Sequence, residues 1–190
     1  SLLLRWTMLL HDIGKPLTKT TDEKGIDHFY GHPEKGMQLA GIIMKRLRLE
    51  NGFIKKVLKL IKHHDRQIGL TERSVRKAVN AIGDELFPEL LKVKEADIRS
   101  QNREYLEKRL DSLKSIKGIY MRIKEKQDCL TLKELAVNGN DLLGMGMKQG
   151  KEVSLALQRL LDIVLENPEK NHKELLMEIA RKEFIKNGTI

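Results

Sequence analysis

The stretch FIKKVLKLIKHHD, residues 53–65, decides the fold. Phe53, Ile54, Val57, Leu58 and Ile61 recur at steps of three and four, the spacing that puts side chains on one face of an α-helix. The same steps continue to His64 and Asp65, so an apolar stripe ends in two polar groups expected to point toward the core. Ionisable groups are costly to bury unless they are paired or bound to a metal. The pattern therefore predicts a helical domain with chemistry at one helix end.

The reading outward from this helix is helical nearly throughout. Leu3, Leu4, Met8, Leu9 and Leu10 predict a short apolar helix stopped by Gly14 and Pro16, which leaves His11 and Asp12 at its C-terminus. Residues 17–31 are polar and turn-rich, and predict an irregular loop or small hairpin acting as a lid. His32-Pro33-Glu34 opens a further helix, with Met37, Ala40, Ile43, Met44 and Leu47 at helical spacing and an end near Leu49. A helix from Thr71 carries Val75, Val79 and Ile82, and Pro88 introduces a helical segment to Gln101 that contains Ala96-Asp97. Residues 104–128 predict a long charged helix, and two more are expected over 151–166 and 171–186. The glycines of NGNDLLGMGMKQGKEV, residues 138–153, suit a tight helix-to-helix turn better than a phosphate cradle. Composition shifts near Leu130, so the expected organisation is one domain over 1–129 and a small helical region over 130–190, all-α.

Composition narrows the function. The 190 residues (21.9 kDa) are 40% hydrophobic and 33% charged, with no apolar run near the roughly 18 residues of a membrane span. The net charge of +9 is concentrated in residues 1–65 (+5) and 66–130 (+4), while residues 131–190 balance. Such a basic chain favours a polyanionic partner, because each phosphate neutralised releases counterions. With 4% aromatics, single-strand binding by stacked bases is disfavoured. The lone Cys129 cannot form an internal disulfide and fits a reducing, cytoplasmic setting. SLLLRWTMLL lacks a basic leader and a cleavage site, so it is not read as a signal peptide. The first methionine is Met8, and the chain is expected to be cut from something longer.

Six residues stand out as candidate metal ligands: His11, Asp12, His32, His63, His64 and Asp97. Neutral imidazole nitrogens and anionic carboxylate oxygens together suit a divalent transition metal. Any one histidine beside an aspartate is commonly a capping or surface residue, but these come from separate helices on inward-facing positions.

The strings LLHDIGKP (9–16), GHPEKG (31–36), KHHD (62–65) and EADIRSQ (95–101) resemble the HD superfamily of metal-dependent phosphohydrolases, an all-helical bundle. The resemblance implies that His11, Asp12, His32, His63, His64 and Asp97 hold one or two divalent ions (Mg, Mn, Ni or Fe), that Asp12 is catalytic, and that Lys15 contacts a substrate phosphate. The family's additional upstream His or Glu has no counterpart after Ser1.

The far end, ELAVNGNDLLGMGMKQGKEVSLALQRLLDIVLENPEKNHKELLMEIARK (134–182), is similar to the C-terminal region of bacterial tRNA nucleotidyltransferases, the CCA-adding enzymes. Gly139, Asp141, Leu142, Gly144, Gly150, Leu157 and Leu160-Leu161 carry the match; Gln149 and Val153-Ser154 depart from it. This resemblance implies tRNA as partner and an upstream nucleotidyltransferase domain absent from these 190 residues. Hydrolysis of phosphomonoesters or 2′,3′-cyclic phosphates is then the chemistry expected of this portion. The rivals are a stand-alone HD phosphohydrolase acting on a nucleotide or cyclic dinucleotide, and a non-catalytic tRNA-binding module.

Overall fold

A computed structural model describes residues 1–101 and 105–185. Its elements are α1 (Leu2–Leu10), α2 (Lys15–Thr18), β1 (Thr20–Thr21), β2 (Asp27–His28), α3 (His32–Arg46), α4 (Asn51–His63), α5 (Glu72–Ile82), α6 (Phe87–Ser100), α7 (Leu106–Glu125), α8 (Gly139–Gly144), α9 (Lys151–Glu166) and α10 (Lys173–Ala180). Among the described residues the chain is all-α apart from one two-stranded ribbon, as the periodicity predicts. Among the described residues no helix is long and apolar enough to cross a membrane. Two compact units emerge. The first takes residues 1–70 and 82–118, the second residues 71–81 and those from Ile119 onward.

In the first unit α3 packs along α4, and α1 packs on both α4 and α6. Leu10, Ala40, Met44, Ile54, Val57 and Ile61 form its buried cluster, with Trp6, Met37 and Phe53 against its edge. Each of the larger side chains in that cluster (Leu10, Met44, Ile54, Val57 and Ile61) contributes about 1.5–3 kcal/mol when withdrawn from water. The α4 stripe is shifted slightly from the sequence reading: Leu60 is wholly buried, whereas Phe53 and Leu58 lie at the margin. His64 is buried as expected, but Asp65 is exposed. The physical reason is that α4 ends at His63 and the chain turns there, with the Arg66 N–H donating to the His63 carbonyl, so the helical phase no longer carries Asp65 inward.

Residues 17–31 resolve into α2 and an antiparallel hairpin with Thr20 opposite His28. Its tip is closed by Asp22 Oδ1, which accepts from the N–H groups of Lys24 and Ile26, both at 2.9 Å. Helix α3 stops at Arg46 instead of near Leu49, because Arg48 takes a left-handed φ of 54°.

The second unit buries Val75, Val79, Ile123, Leu142, Leu160, Leu161 and Leu176. Two capping boxes, Thr131 with Glu134 and Asn138 with Asp141, start its short helices. Gly146 (φ 94°) and Gly150 (φ 121°) turn the chain from α8 into α9. Helix α10 ends at Ala180 and continues as a wider turn over Arg181–Ile185; residue 186 of the expected helix lies outside the described residues, as does residue 104 of the long charged one.

Candidate metal centre

Helix ends deliver the polar groups. Helix α1 finishes at Leu10, and the turn from His11 to Gly14 presents His11 and Asp12 before α2 begins. His32 is the first residue of α3, entered through Gly31 at φ 76° and stiffened by Pro33. His64 caps α4, and Asp97 lies in the last turn of α6. Two glycines let these ends meet. A Cβ on Gly14 would stand 2.3 Å from the His32 carbonyl oxygen and 2.5 Å from the Gly36 nitrogen, so only glycine allows the His11–Asp12 turn to lie on the start of α3.

Asp12 is the hub. Its Oδ1 lies 3.6 Å from His32 Nε2 and 3.7 Å from His64 Nε2, and its Oδ2 lies 3.3 Å from His11 Nε2. Asp97 Oδ1 approaches His11 Nε2 from the far side at 3.6 Å. The ligand atoms of Asp12, His32 and His64 all fall within 4.8 Å of one another, a spacing that could hold a metal ion. His32 and His64 are buried, and Asp12 keeps about a third of its side chain open to solvent.

Hydrogen bonding sets the tautomers. His11, His32 and His64 each direct Nδ1 at the carbonyl oxygen three residues earlier: Met8 (2.9 Å), Phe29 (2.9 Å) and Ile61 (2.6 Å). A carbonyl oxygen only accepts, so each Nδ1 carries hydrogen and each neutral ring offers its lone pair at Nε2. Yet His32 Nε2 and His64 Nε2 are 3.1 Å apart. Two lone pairs at that separation repel unless a proton or a cation lies with them. Burial, the largest influence on His64, lowers its pKa and works against the proton. The donor set and its outer carbonyl acceptors therefore fit a divalent cation.

The other charges are polarised around this hub. Burial opposes protonation of His11, but the bond with Asp97, the Met8 carbonyl and the nearby carboxylates outweigh it and raise its pKa. His11 in turn holds Asp97 below the usual carboxylate range against the effect of burial, with help from Gln101. Lys15 Nζ donates to Asp12 Oδ2 over 2.6 Å and lies 5.8 Å above the Phe29 ring. The structure thus gathers His11, Asp12, Lys15, His32, His64 and Asp97. His63 is not among the grouped ligand atoms; burial first, then Arg66, Lys62 and Lys59, push its pKa down to about 4, with Glu34 opposing.

Gln101 closes the quoted EADIRSQ string, whereas its neighbours Arg109 and Lys94 lie outside every quoted string. Gln101 Nε2 donates to Asp97 Oδ2 (2.9 Å), Arg109 donates to Gln101 Oε1, and Lys94 Nζ donates to the His64 carbonyl (2.7 Å). Burial brings the Lys94 pKa down to about 8, with Asp65 and Asp97 opposing the fall. Only Gln101 lay inside a quoted string, and there nothing assigned it a partner.

Comparison with known proteins adds an independent line. A family model described as tRNA nucleotidyltransferase domain 2 matches residues 35–180. The chain is 39% identical over 97 residues to an A-adding tRNA nucleotidyltransferase of Deinococcus radiodurans, covering 50% of this chain and 22% of that protein. It is 29% identical over 163 residues to a CC-adding tRNA nucleotidyltransferase of Thermus thermophilus, covering 83% of this chain and 35% of that protein. The chain thus spans about a third or less of the relatives it matches. No solved structure matches it significantly.

Proposed function

Because the chain belongs to the tRNA nucleotidyltransferase domain 2 family, we propose that it is the tRNA-contacting portion of an enzyme that builds or repairs the CCA end, following a separate nucleotidyltransferase domain. The names of the A-adding and CC-adding relatives support the substrate class. The first unit adds its own chemistry. It is an HD-type domain that hydrolyses phosphomonoesters or 2′,3′-cyclic phosphates at RNA ends. The observation carrying this reading is the pair of facing Nε2 atoms of His32 and His64 beside Asp12 Oδ1.

Asp12, His32 and His64 would hold the cation, with His11 and Asp97 beside them; His63 belongs to the ligand set by family resemblance alone. A divalent ion there acidifies water and stabilises charge on phosphoryl oxygens. Two imidazoles favour Mn, Fe or Ni over Mg. Lys15 supplies a positive charge next to Asp12 Oδ2, where it neutralises a substrate phosphate. His11 Nε2 lies between the Asp12 and Asp97 carboxylates, and Asp97 orients that ring. The net charge of +9 supports a grip on tRNA phosphates.

Calorimetric titration with Mn²⁺ is the primary test. Saturable binding is expected, reduced at least about tenfold in His64→Ala, and Asp12→Ala in the parent protein should abolish 2′,3′-cyclic phosphate hydrolysis while sparing nucleotide addition. Unchanged Mn²⁺ binding in His64→Ala, or unchanged hydrolysis in Asp12→Ala, removes the site. For tRNA, affinity should fall steeply with rising salt; no preference over an unrelated polyanion would leave only a nonspecific basic surface.

A further inference from the structure

Helix α6 reaches the metal centre through two side chains about one turn apart. Asp97 meets the His11 ring at 3.6 Å, and Lys94, three residues earlier and so on the same face, donates from Nζ to the backbone carbonyl of His64 over 2.7 Å. The Asp97 contact belongs to the centre already described, whereas the Lys94 bond has no part in its chemistry so far. An ammonium is costly to withdraw from water, and a methionine would fill the same half-buried position without that cost. What the ammonium adds is a partner for a carbonyl left over where α4 ends.

The turn that carries His64 is not held by packing on its far side. A cavity of about 280 Å³ lies there, lined by His64 and Ile68 of the α4–α5 connection, Lys94 and Ile98 of α6, and Leu113 and Ile116 of α7. A backbone facing open space lacks the close contacts that fix a core. Inside the turn, the His64 N–H donates to the Ile61 carbonyl over a long 3.4 Å, and the ring Nδ1 uses the same carbonyl at 2.6 Å. Lys94 fastens the other side of that peptide to α6, a helix anchored by the wholly buried Leu90 and Val93. On the reading of the centre given above, we propose that Lys94 is its positioning residue, acting through the His64 backbone to keep that ring's Nε2 turned to Asp12 and His32. With Asp97 orienting His11, one face of α6 then sets the two rings against each other, their centroids 5.1 Å apart and their planes at 87°. The sign of the effect separates position from charge. A nearby ammonium repels a divalent cation, so a lysine acting by charge alone weakens metal binding, and removing it tightens binding. A lysine that positions His64 does the reverse.

The experiment measures Mn²⁺ affinity by calorimetry for the wild type, Lys94→Met and Lys94→Arg, with circular dichroism and urea unfolding to establish that each is folded at the temperature of titration. Lys94→Met should bind Mn²⁺ at least about tenfold more weakly, the loss expected when a group supporting a ligand is removed. Lys94→Arg keeps a donor and the charge and should stay within about threefold of the wild type. A lowered unfolding midpoint with unchanged Mn²⁺ affinity in Lys94→Met would make Lys94 a helix cap and nothing more, and tighter binding would make it a charge alone; either result overturns the positioning role. Should Lys94→Met not fold, Lys94→Gln, which removes the charge and shortens the chain, takes its place under the same outcomes. If the wild type takes up no Mn²⁺, the metal reading fails by itself, and nitrogen-15 NMR of the metal-free protein decides Lys94. The share of His64 rings carrying hydrogen on Nδ1 should fall in Lys94→Met and recover in Lys94→Arg, and an unchanged share overturns the role.

Discussion

Gln101 holds Asp97 by one oxygen while His11 faces the other: the carboxamide nitrogen donates to Asp97 Oδ2 over 2.9 Å, and Asp97 Oδ1 lies 3.6 Å from His11 Nε2. The amide cannot turn round freely, because its oxygen accepts from Arg109. Hydrogen bonds to a carboxylate favour the charged form. Gln101→Leu should therefore raise the Asp97 pKa, read by carbon-13 NMR of its carboxyl, and weaken Mn²⁺ binding by about tenfold, as loss of a supporting partner does. A variant with the Asp97 titration unmoved would show that Gln101 merely lies nearby.

Gly14 and Gly36 face each other but are unequal. A Cβ at Gly14 meets backbone atoms at 2.3 and 2.5 Å, which cannot be relieved by a side-chain rotation; one at Gly36 finds nothing closer than the His11 carbonyl at 3.4 Å. Gly14→Ala should cost about 2–4 kcal/mol in urea unfolding and displace His32 from Asp12. Gly36→Ala should fall within about 1 kcal/mol of the wild type, since removing a helical glycine offsets minor crowding. Equal effects at the two positions would contradict the close approach.

Much of the fold was legible because one period governs long stretches. The spacing from Phe53 to Ile61 places α4 and carries His64 into the core, and it fails for Asp65 only because the helix stops two residues earlier. His63 and His64 illustrate a different limit. Neighbours on a helix point about 100° apart, so an adjacent pair does not by itself say which ring turns to Asp12. The role of Gln101 depends on Arg109 from another helix, and the cavity depends on α6, α7 and the α4–α5 connection together. Gly14 was readable as a helix stop, but its contact with the His32 carbonyl is tertiary and leaves no local trace.

Arg76 ties the second unit together. Its side chain is 5% exposed; Nε donates to the Leu165 carbonyl (2.8 Å), Nη2 to the Glu166 carbonyl (3.3 Å) and Nη1 to Asp128 Oδ2 (2.9 Å). The guanidinium thus satisfies the end of α9 and neutralises a carboxylate that is only 6% exposed. Arg76→Met should cost about 3–5 kcal/mol in chemical denaturation, because Asp128 is left charged and buried. Arg76→Lys should recover little, since one ammonium cannot reproduce the planar fork. Adding Asp128→Asn to Arg76→Met should regain part of the loss, and no regain would mean that the carbonyl contacts dominate.

Cys129 gives the second unit a dependence on alkaline pH. Burial above all, with Glu134 and Asp128 adding repulsion and the Thr131 contact opposing, pushes its thiol up from 9.0 to about 11. The folded form then binds more protons than the unfolded chain between those values, so the slope of unfolding free energy with pH is negative there. The thiol's contribution is fully present below about pH 9 and is lost as pH rises toward 11. Cys129→Ala removes this titration and leaves only the packing cost of the missing sulfur. Denaturation midpoints of wild type and Cys129→Ala should consequently converge between pH 8 and pH 11, by about 2 kcal/mol at most. Alkylation of the native thiol by iodoacetamide should stay far slower than that of the urea-unfolded chain across the same range. Parallel stability curves for the two proteins would mean that the thiol is not held in its neutral form by the fold.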